Sequence, residues 1–140
     1  MTIGILALQG DYHLHVKLLN KFNVDNILIK DPKQLLEIDG LIIPGGESSV
    51  ILKLLINFKF YNSIIKFSNN KSIYGTCAGA IIMSHQSDDN AETLNIINVK
   101  SYRNFWGRQI NSFTEDIDII FSNKKFNAHF IRAPKFECLS

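Results

Sequence analysis

The chain is poor in the residues that build cross-links and metal cages. Two cysteines, Cys77 and Cys138, occur among 140 residues, too few for the disulfide framework of a small secreted domain, and no Cys/His spacing matches a zinc site. Long apolar runs are missing too. None approaches the roughly 20 residues that a membrane-spanning helix needs. The apolar start Ile3 to Leu8 lacks a basic leader and meets Gly10-Asp11 too soon for a secretion signal. A cytoplasmic protein without a membrane partner is the expectation. Neither sign of charge dominates: 15 Lys+Arg against 13 Asp+Glu leave a formal net charge of +2, which offers no electrostatic footprint for nucleic acid or an anionic membrane. Arginine is the scarcest charged type. Arg103, Arg108 and Arg132 all lie in the second half, and every other basic residue is lysine.

What is present suits one folded domain. Hydrophobic residues make up 46%, aromatics 11% and charged residues 20%, a globular mixture unlike that of a disordered chain. A single core over residues 1–140 is expected from the length.

Thr2 to Leu8 is a short continuous apolar run of the kind expected for a strand buried on both faces. Tyr12 to Phe22 places Leu14, Leu18, Leu19 and Phe22 at helical spacing, and Asn26 to Lys30 reads as a second strand. Pro32 opens a short helix through Leu35 and Leu36. Gly40 to Pro44 is a third strand, Glu47 to Ile56 and Phe60 to Phe67 read as helices, and Ser72 to Gly75 is a fourth strand. This alternation predicts an α/β fold with a mostly parallel sheet, right-handed crossovers and helices on both faces. After a helix from Ala78 to about Ser84, the polar stretch Gln86 to Glu92 reads as a surface loop. Leu94 to Val99, Asp118 to Phe121 and Ala128 to Ile131 are strand-like.

Gly75-Thr76-Cys77-Ala78-Gly79 falls between a predicted strand and a predicted helix. This is the G-x-nucleophile-x-G elbow with cysteine as nucleophile. The tight turn strains the nucleophile's backbone, and the glycines relieve crowding where neighbouring chain comes close. It also sets the sulfur at a helix N-terminus, where amides favour the reactive thiolate and the N–H of Ala78 could stabilise an oxyanion. The plainer alternative is a buried, inert Cys77 between two packing glycines.

A second strand-to-helix turn is Pro44-Gly45-Gly46-Glu47-Ser48-Ser49. Its paired glycines allow N–H groups to point at a ligand or at developing negative charge. Alternatively it is a plain loop with Ser48 as the helix N-cap. Both turns, and Leu8-Gln9-Gly10, lie at the carboxyl ends of strands, where open α/β sheets bind ligands. Arg103-Asn104-Phe105-Trp106-Gly107-Arg108-Gln109 and Ile131-Arg132-Ala133-Pro134 carry all three arginines. A planar, forked donor suits a carboxylate ligand, although structural ion pairs use arginine equally. His13, His15, His85 and His129 form no His-x-Glu pair, and His129 alternates with Ala128 and Phe130 as a solvent-facing residue would.

The stretches IGILALQGD at 3 to 11, DGLIIPGGESS at 39 to 49, YGTCAGAI at 74 to 81, YRNFWGRQINSF at 102 to 113 and FIRAP at 130 to 134 together resemble the class I (triad) glutamine amidotransferases. The likeness is strongest to the PdxT family, the glutaminase subunits of pyridoxal 5'-phosphate synthase. The resemblance implies a flavodoxin-like three-layer α/β sandwich and hydrolysis of L-glutamine to glutamate and ammonia. Cys77 would form a glutamyl thioester, the amides of Gly46 and Ala78 would hold the oxyanion, and Gly46, Glu47, Ser48, Arg103, Ile131 and Arg132 would bind glutamine. Ammonia would pass to a barrel-shaped synthase subunit as partner, and no cofactor or metal is implied.

Three departures qualify the resemblance. Tyr102 stands where members usually have an acidic residue, and Ser49 where they have threonine. The family's His-x-Glu pair, which lies beyond the IRAP motif, has no counterpart among the 140 residues. The resemblance therefore implies a chain without the family's C-terminal strands and closing helix, and with impaired turnover. The alternative function is a noncatalytic subunit that only binds glutamine or the synthase. A different elbow-cysteine hydrolase or redox chaperone is opposed by the RNxxGRQ and IRAP segments.

Overall fold

A computed structural model describes residues 1–107, 110, 112–120 and 123–139. Four short apolar segments form its central sheet: β1 (Thr2–Leu6), β2 (Asp25–Ile29), β3 (Gly40–Ile43) and β4 (Ser72–Gly75). All pair in parallel, in the order β2-β1-β3-β4. This is the flavodoxin-like order, with its topological switch point between β1 and β3.

Helix α1 (Tyr12–Lys21) joins β1 to β2, a 3-10 helix (Pro32–Glu37) precedes β3, and α2 (Ser48–Asn57) and α3 (Tyr61–Ser68) lead to β4. The 3-10 helix begins as its sequence dictates: Asp31 accepts the Lys33 N–H at 2.8 Å, Gln34 reaches back to the Asp31 N–H at 2.9 Å, and Pro32 presets the first turn. Right-handed crossovers put α1 on one sheet face and α2 and α3 on the other.

The core lies on the α2–α3 face. Leu6, Ile29, Leu41 and Ile43 of the sheet meet Ile51, Leu55, Phe60 and Ile64, all buried. The α1 face is thinner. No residue of α1 is fully buried, and Leu14, Leu18 and Phe22, at helical spacing, face solvent at 65%, 52% and 66% exposure. The helix is formed as the spacing predicts, but of the four spaced residues only Leu19 is partly buried, as Val16 also is.

Beyond α4 (Ala78–Met83) the chain leaves the parallel sheet. Strands β5 (Ser84–Ser87), β6 (Ile97–Tyr102) and β9 (Lys135–Cys138) make a second sheet in the order β5-β6-β9, parallel and then antiparallel. Strands β7 (Phe113–Asp118) and β8 (Lys125–Phe130) form a separate antiparallel hairpin. Contacts Tyr102–Phe105–Trp106–Phe113 and the stacked Phe113–Phe130 pair tie this hairpin to the end of β6.

Several boundaries differ from those the sequence suggests. The first strand ends at Leu6 rather than Leu8, and the expected loop from Gln86 begins inside β5. The strand expected over Leu94 to Val99 is shifted to β6, and the one at Ala128 to Ile131 starts earlier, as β8. The acidic stretch that flanks Asp118 is itself the strand, and Phe121 lies outside the described residues. Strand β9 has no counterpart in the sequence reading.

Candidate functional site

The loops after β1, β3 and β4 meet at one edge of the sheet, around the switch point. The Asp11 N–H donates to the Gly45 carbonyl at 3.1 Å, and the Glu47 N–H donates to Gln9 Oε1 at 3.2 Å. The Gln9 side chain lies so close that a Cβ on Gly46 would overlap its Oε1. Gly46, at φ +158°, takes a backbone conformation that strains other residues and leaves room for that side chain.

Cys77 sits at φ +47°, ψ −108° between β4 and α4. That conformation is costly for any residue with a Cβ. The turn is held from several sides. Thr76 donates its N–H to the Ile43 carbonyl at 3.1 Å, and Gly79 donates to the Thr76 carbonyl at 2.8 Å. A Cβ on Gly79 would overlap the Ile43 carbonyl oxygen, so glycine lets α4 rest on β3. Cys77 is exposed, so it is not the buried cysteine of the plainer alternative. Because α4 has only six residues, the local field comes from its first amides rather than from a long summed dipole.

A cavity of about 250 Å³ opens beside the sulfur, lined by Gly46, Glu47, Ser48, Cys77, Ala78, Ile81, Arg103, Asn104, Ile131 and Arg132. Every residue that the resemblance singles out is therefore brought to one place, from four loops that follow strands of three sheets. Ser48 is not the N-cap; it is the first residue of α2, and Glu47 precedes it without a side-chain capping bond. Arg132 enters the cavity from a left-handed backbone position, φ +49°. Arg108 and Gln109 lie outside the described residues.

The electrostatics centre on Arg103. Its Nη2 donates to Glu47 Oε1 at 3.0 Å and its Nη1 to Asp89 Oδ2 at 2.5 Å, while its backbone N–H donates to Asp88 Oδ1 at 3.1 Å. Ser49 Oγ also donates to Glu47 Oε1, at 3.0 Å. Asp89 is further held by the Ser87 hydroxyl at 2.6 Å and the Ala91 N–H at 3.1 Å. The Ser87 hydroxyl above all, with the Ala91 amide and Arg103, keeps the Asp89 carboxyl below its usual range against the opposing effect of burial. Tyr102 turns away from the cavity, and its hydroxyl donates to Glu137 Oε2 at 2.8 Å.

Three of the four histidines are hydrogen-bonded to groups that do not line the cavity. His15 Nε2 meets Thr76 Oγ1 at 3.2 Å, behind the elbow, and burial lowers its pKa below the ordinary 6.5 although Asp11 pulls the other way. His85, in β5 rather than at a helix end, pairs with Asn95 at 2.6 Å, and His129 pairs with Thr114 at 2.8 Å. Among the described residues no three His, Cys, Asp or Glu side chains converge as a metal site, and no helix is long and apolar enough to cross a membrane. The sequence reading missed Asp88 and Asp89, since Gln86 to Glu92 looked like polar loop. The one available signal was an acidic pair upstream of an isolated arginine.

An exposed elbow cysteine, Gly46 and a clamped arginine around one cavity agree with the relationships of the chain. The SNO glutamine amidotransferase family matches residues 5–140. The chain belongs to that family. It is 39% identical over 137 residues to the pyridoxal 5'-phosphate synthase subunit PdxT of Thermosipho africanus, covering 96% of this chain and 73% of that protein. It is 40% identical over 138 residues to the same-named subunit of Koribacter versatilis, covering 98% and 71%. A crystal structure of a glutamine amidotransferase superposes with a TM-score of 0.88 at 32% identity, covering 99% of this chain and 75% of that one. A putative peptidase E from Listeria monocytogenes shares the fold alone, with a TM-score of 0.60 at 16% identity. The family relationship and the fold place this chain among glutamine amidotransferases of flavodoxin-like architecture.

Proposed function

We propose that this chain is the glutaminase subunit of a pyridoxal 5'-phosphate synthase, with Cys77 as nucleophile. The observation that carries the reading is the convergence of Cys77, Gly46, Ala78, Glu47, Arg103 and Arg132 on one cavity. Glutamine is a zwitterion with a neutral side-chain amide. The guanidinium of Arg103, aided by Arg132, suits its α-carboxylate, and Glu47 suits its α-ammonium. Gly46, Ser48 and Ile131 complete the walls. The side-chain amide then points towards the elbow.

The Cys77 thiolate attacks the amide carbon, forming a C–S bond and placing negative charge on the former carbonyl oxygen. The N–H groups of Gly46 and Ala78 stabilise that oxyanion. Collapse breaks the C–N bond, and the nitrogen leaves as ammonia once it has gained a proton. Water then attacks the thioester, releasing glutamate and restoring the thiol. The ammonia is passed to the synthase subunit, a barrel protein that is the macromolecular partner. No cofactor takes part in these steps.

Both proton transfers need a positioned acid and base. Among the described residues His15, His85 and His129 each hold another partner. This favours a second reading of the 140-residue chain itself, as a subunit that binds glutamine or the synthase and turns over slowly. Two measurements on the chain with the synthase present decide between them. A diazoketone analogue of glutamine is expected to label Cys77 stoichiometrically by mass spectrometry, with ammonia release at least a thousandfold below that of an intact triad enzyme. Labelling that ignores Cys77 would sink the glutaminase reading. Ordinary turnover would sink the noncatalytic one.

A further inference from the structure

We propose that Asp89 is a positioning residue for amino-acid recognition: it holds one edge of the Arg103 guanidinium so that the other edge can exchange Glu47 for the α-carboxylate of glutamine. The inference rests on the glutaminase reading above. It starts from the way Arg103 is shared. Nη2 faces Glu47, which lines the cavity, whereas Nη1 faces Asp89, which does not. The two carboxylates thus differ in access to a ligand.

An entering zwitterion can replace the Glu47–Arg103 pair without stranding a charge. Its carboxylate takes the place of Glu47 on Nη2, and its ammonium takes the place of Arg103 on Glu47. The exchange works only if the guanidinium stays where it is while its partner changes. Arginine is long and flexible, and a single contact would let the head follow Glu47 or swing into solvent.

Asp89 is built to prevent this. Ser87 Oγ and the Ala91 N–H both donate to Oδ1, which leaves Oδ2 directed at Nη1. The adjacent Asp88 Oδ1 takes the Arg103 backbone N–H, and the Asp88 N–H is in turn fixed to the Ser101 carbonyl at 2.9 Å. One turn therefore fixes both the main chain and the head of Arg103. The Asp88-Asp89 pair lies outside every substrate motif in the sequence.

Calorimetric titration of the 140-residue chain tests this with two ligands, L-glutamine and L-glutaminamide, in which an amide replaces the α-carboxylate. Asp89→Asn is expected to weaken glutamine about tenfold and to leave glutaminamide unchanged, so that discrimination between them shrinks about tenfold. Asp89→Glu restores part of it. Ser87→Ala, which removes the hydroxyl that aims the carboxylate, gives a smaller loss in the same direction and serves if Asp89→Asn does not fold. Equal glutamine affinity in folded Asp89→Asn and the parent chain overturns the proposal and leaves the glutaminase reading intact. Equal losses for both ligands also overturn it, showing a purely structural role. If the parent chain binds neither glutamine nor its diazoketone analogue, the glutaminase reading itself fails.

Discussion

Cys77 holds a backbone conformation, φ +47° and ψ −108°, that glycine adopts freely and a side chain does not. Replacing it with glycine releases that strain, of order 1–3 kcal/mol, against a smaller entropic loss from the more flexible unfolded chain. Cys77→Gly is therefore expected to be more stable than Cys77→Ala by about 1 kcal/mol, as read from urea denaturation midpoints, while both lose labelling by the glutamine analogue. His15 gives a second handle on the same turn. Burial depresses its pKa below 6.5 in the folded chain, so the unfolded state binds the proton more readily. The folded state keeps this contribution above about pH 6.5 and loses it as pH falls towards the depressed value. His15→Asn should flatten the acid side of the stability profile between pH 7.5 and 5, measured as urea midpoint against pH. Of these site residues Cys77 was legible from sequence, because a nucleophile between glycines at a strand end has few other uses. The bond from His15 to Thr76 was not, since it joins residues 61 positions apart.

At the scale of elements, β1 to β4 could be read because each is a short apolar run with glycine, proline, aspartate or lysine close behind it, the pattern of strands covered on both faces. Later strands break that rule for identifiable reasons. Strand β5, Ser-His-Gln-Ser, has no apolar residue; its buried Ser84 is satisfied by the Ile81 carbonyl at 2.6 Å and the Ser101 hydroxyl at 3.0 Å. Burial is polar there, and hydropathy is silent about it. Strand β7, Phe-Thr-Glu-Asp-Ile-Asp, is exposed along its whole length and follows its hairpin partner instead of a core. The close seat of α4 on β3 depends on a single missing methyl group. Gly79→Ala would push against the Ile43 carbonyl oxygen, and a loss of about 2–3 kcal/mol is expected, visible as a lower Tm together with slower labelling of Cys77 as the elbow is displaced.

The whole molecule divides between a parallel sheet with a deep core and a lightly attached hairpin. The sole tryptophan, Trp106, stands at the junction, with Phe113 and Phe130 at 5.7 and 5.4 Å. Two exposed strands joined through a few rings have little apolar burial to hold them. Tryptophan fluorescence should therefore change at a lower urea concentration than the far-ultraviolet circular dichroism, which reports the sheet and helices. Coincident curves would mean that the hairpin and the parallel sheet unfold as one unit.

Before any ligand arrives, Glu47 and Arg103, both partly exposed, already form an ion pair in the cavity lining. Exchange of that pair for a zwitterion neither adds nor removes net charge, so almost no ions are released or taken up when the ligand binds. The affinity for glutamine should stay within about twofold from low salt to several hundred millimolar sodium chloride, although exposed charges over that range are strongly screened. An ion pair formed in advance of the ligand thus makes recognition by charged groups nearly indifferent to ionic strength.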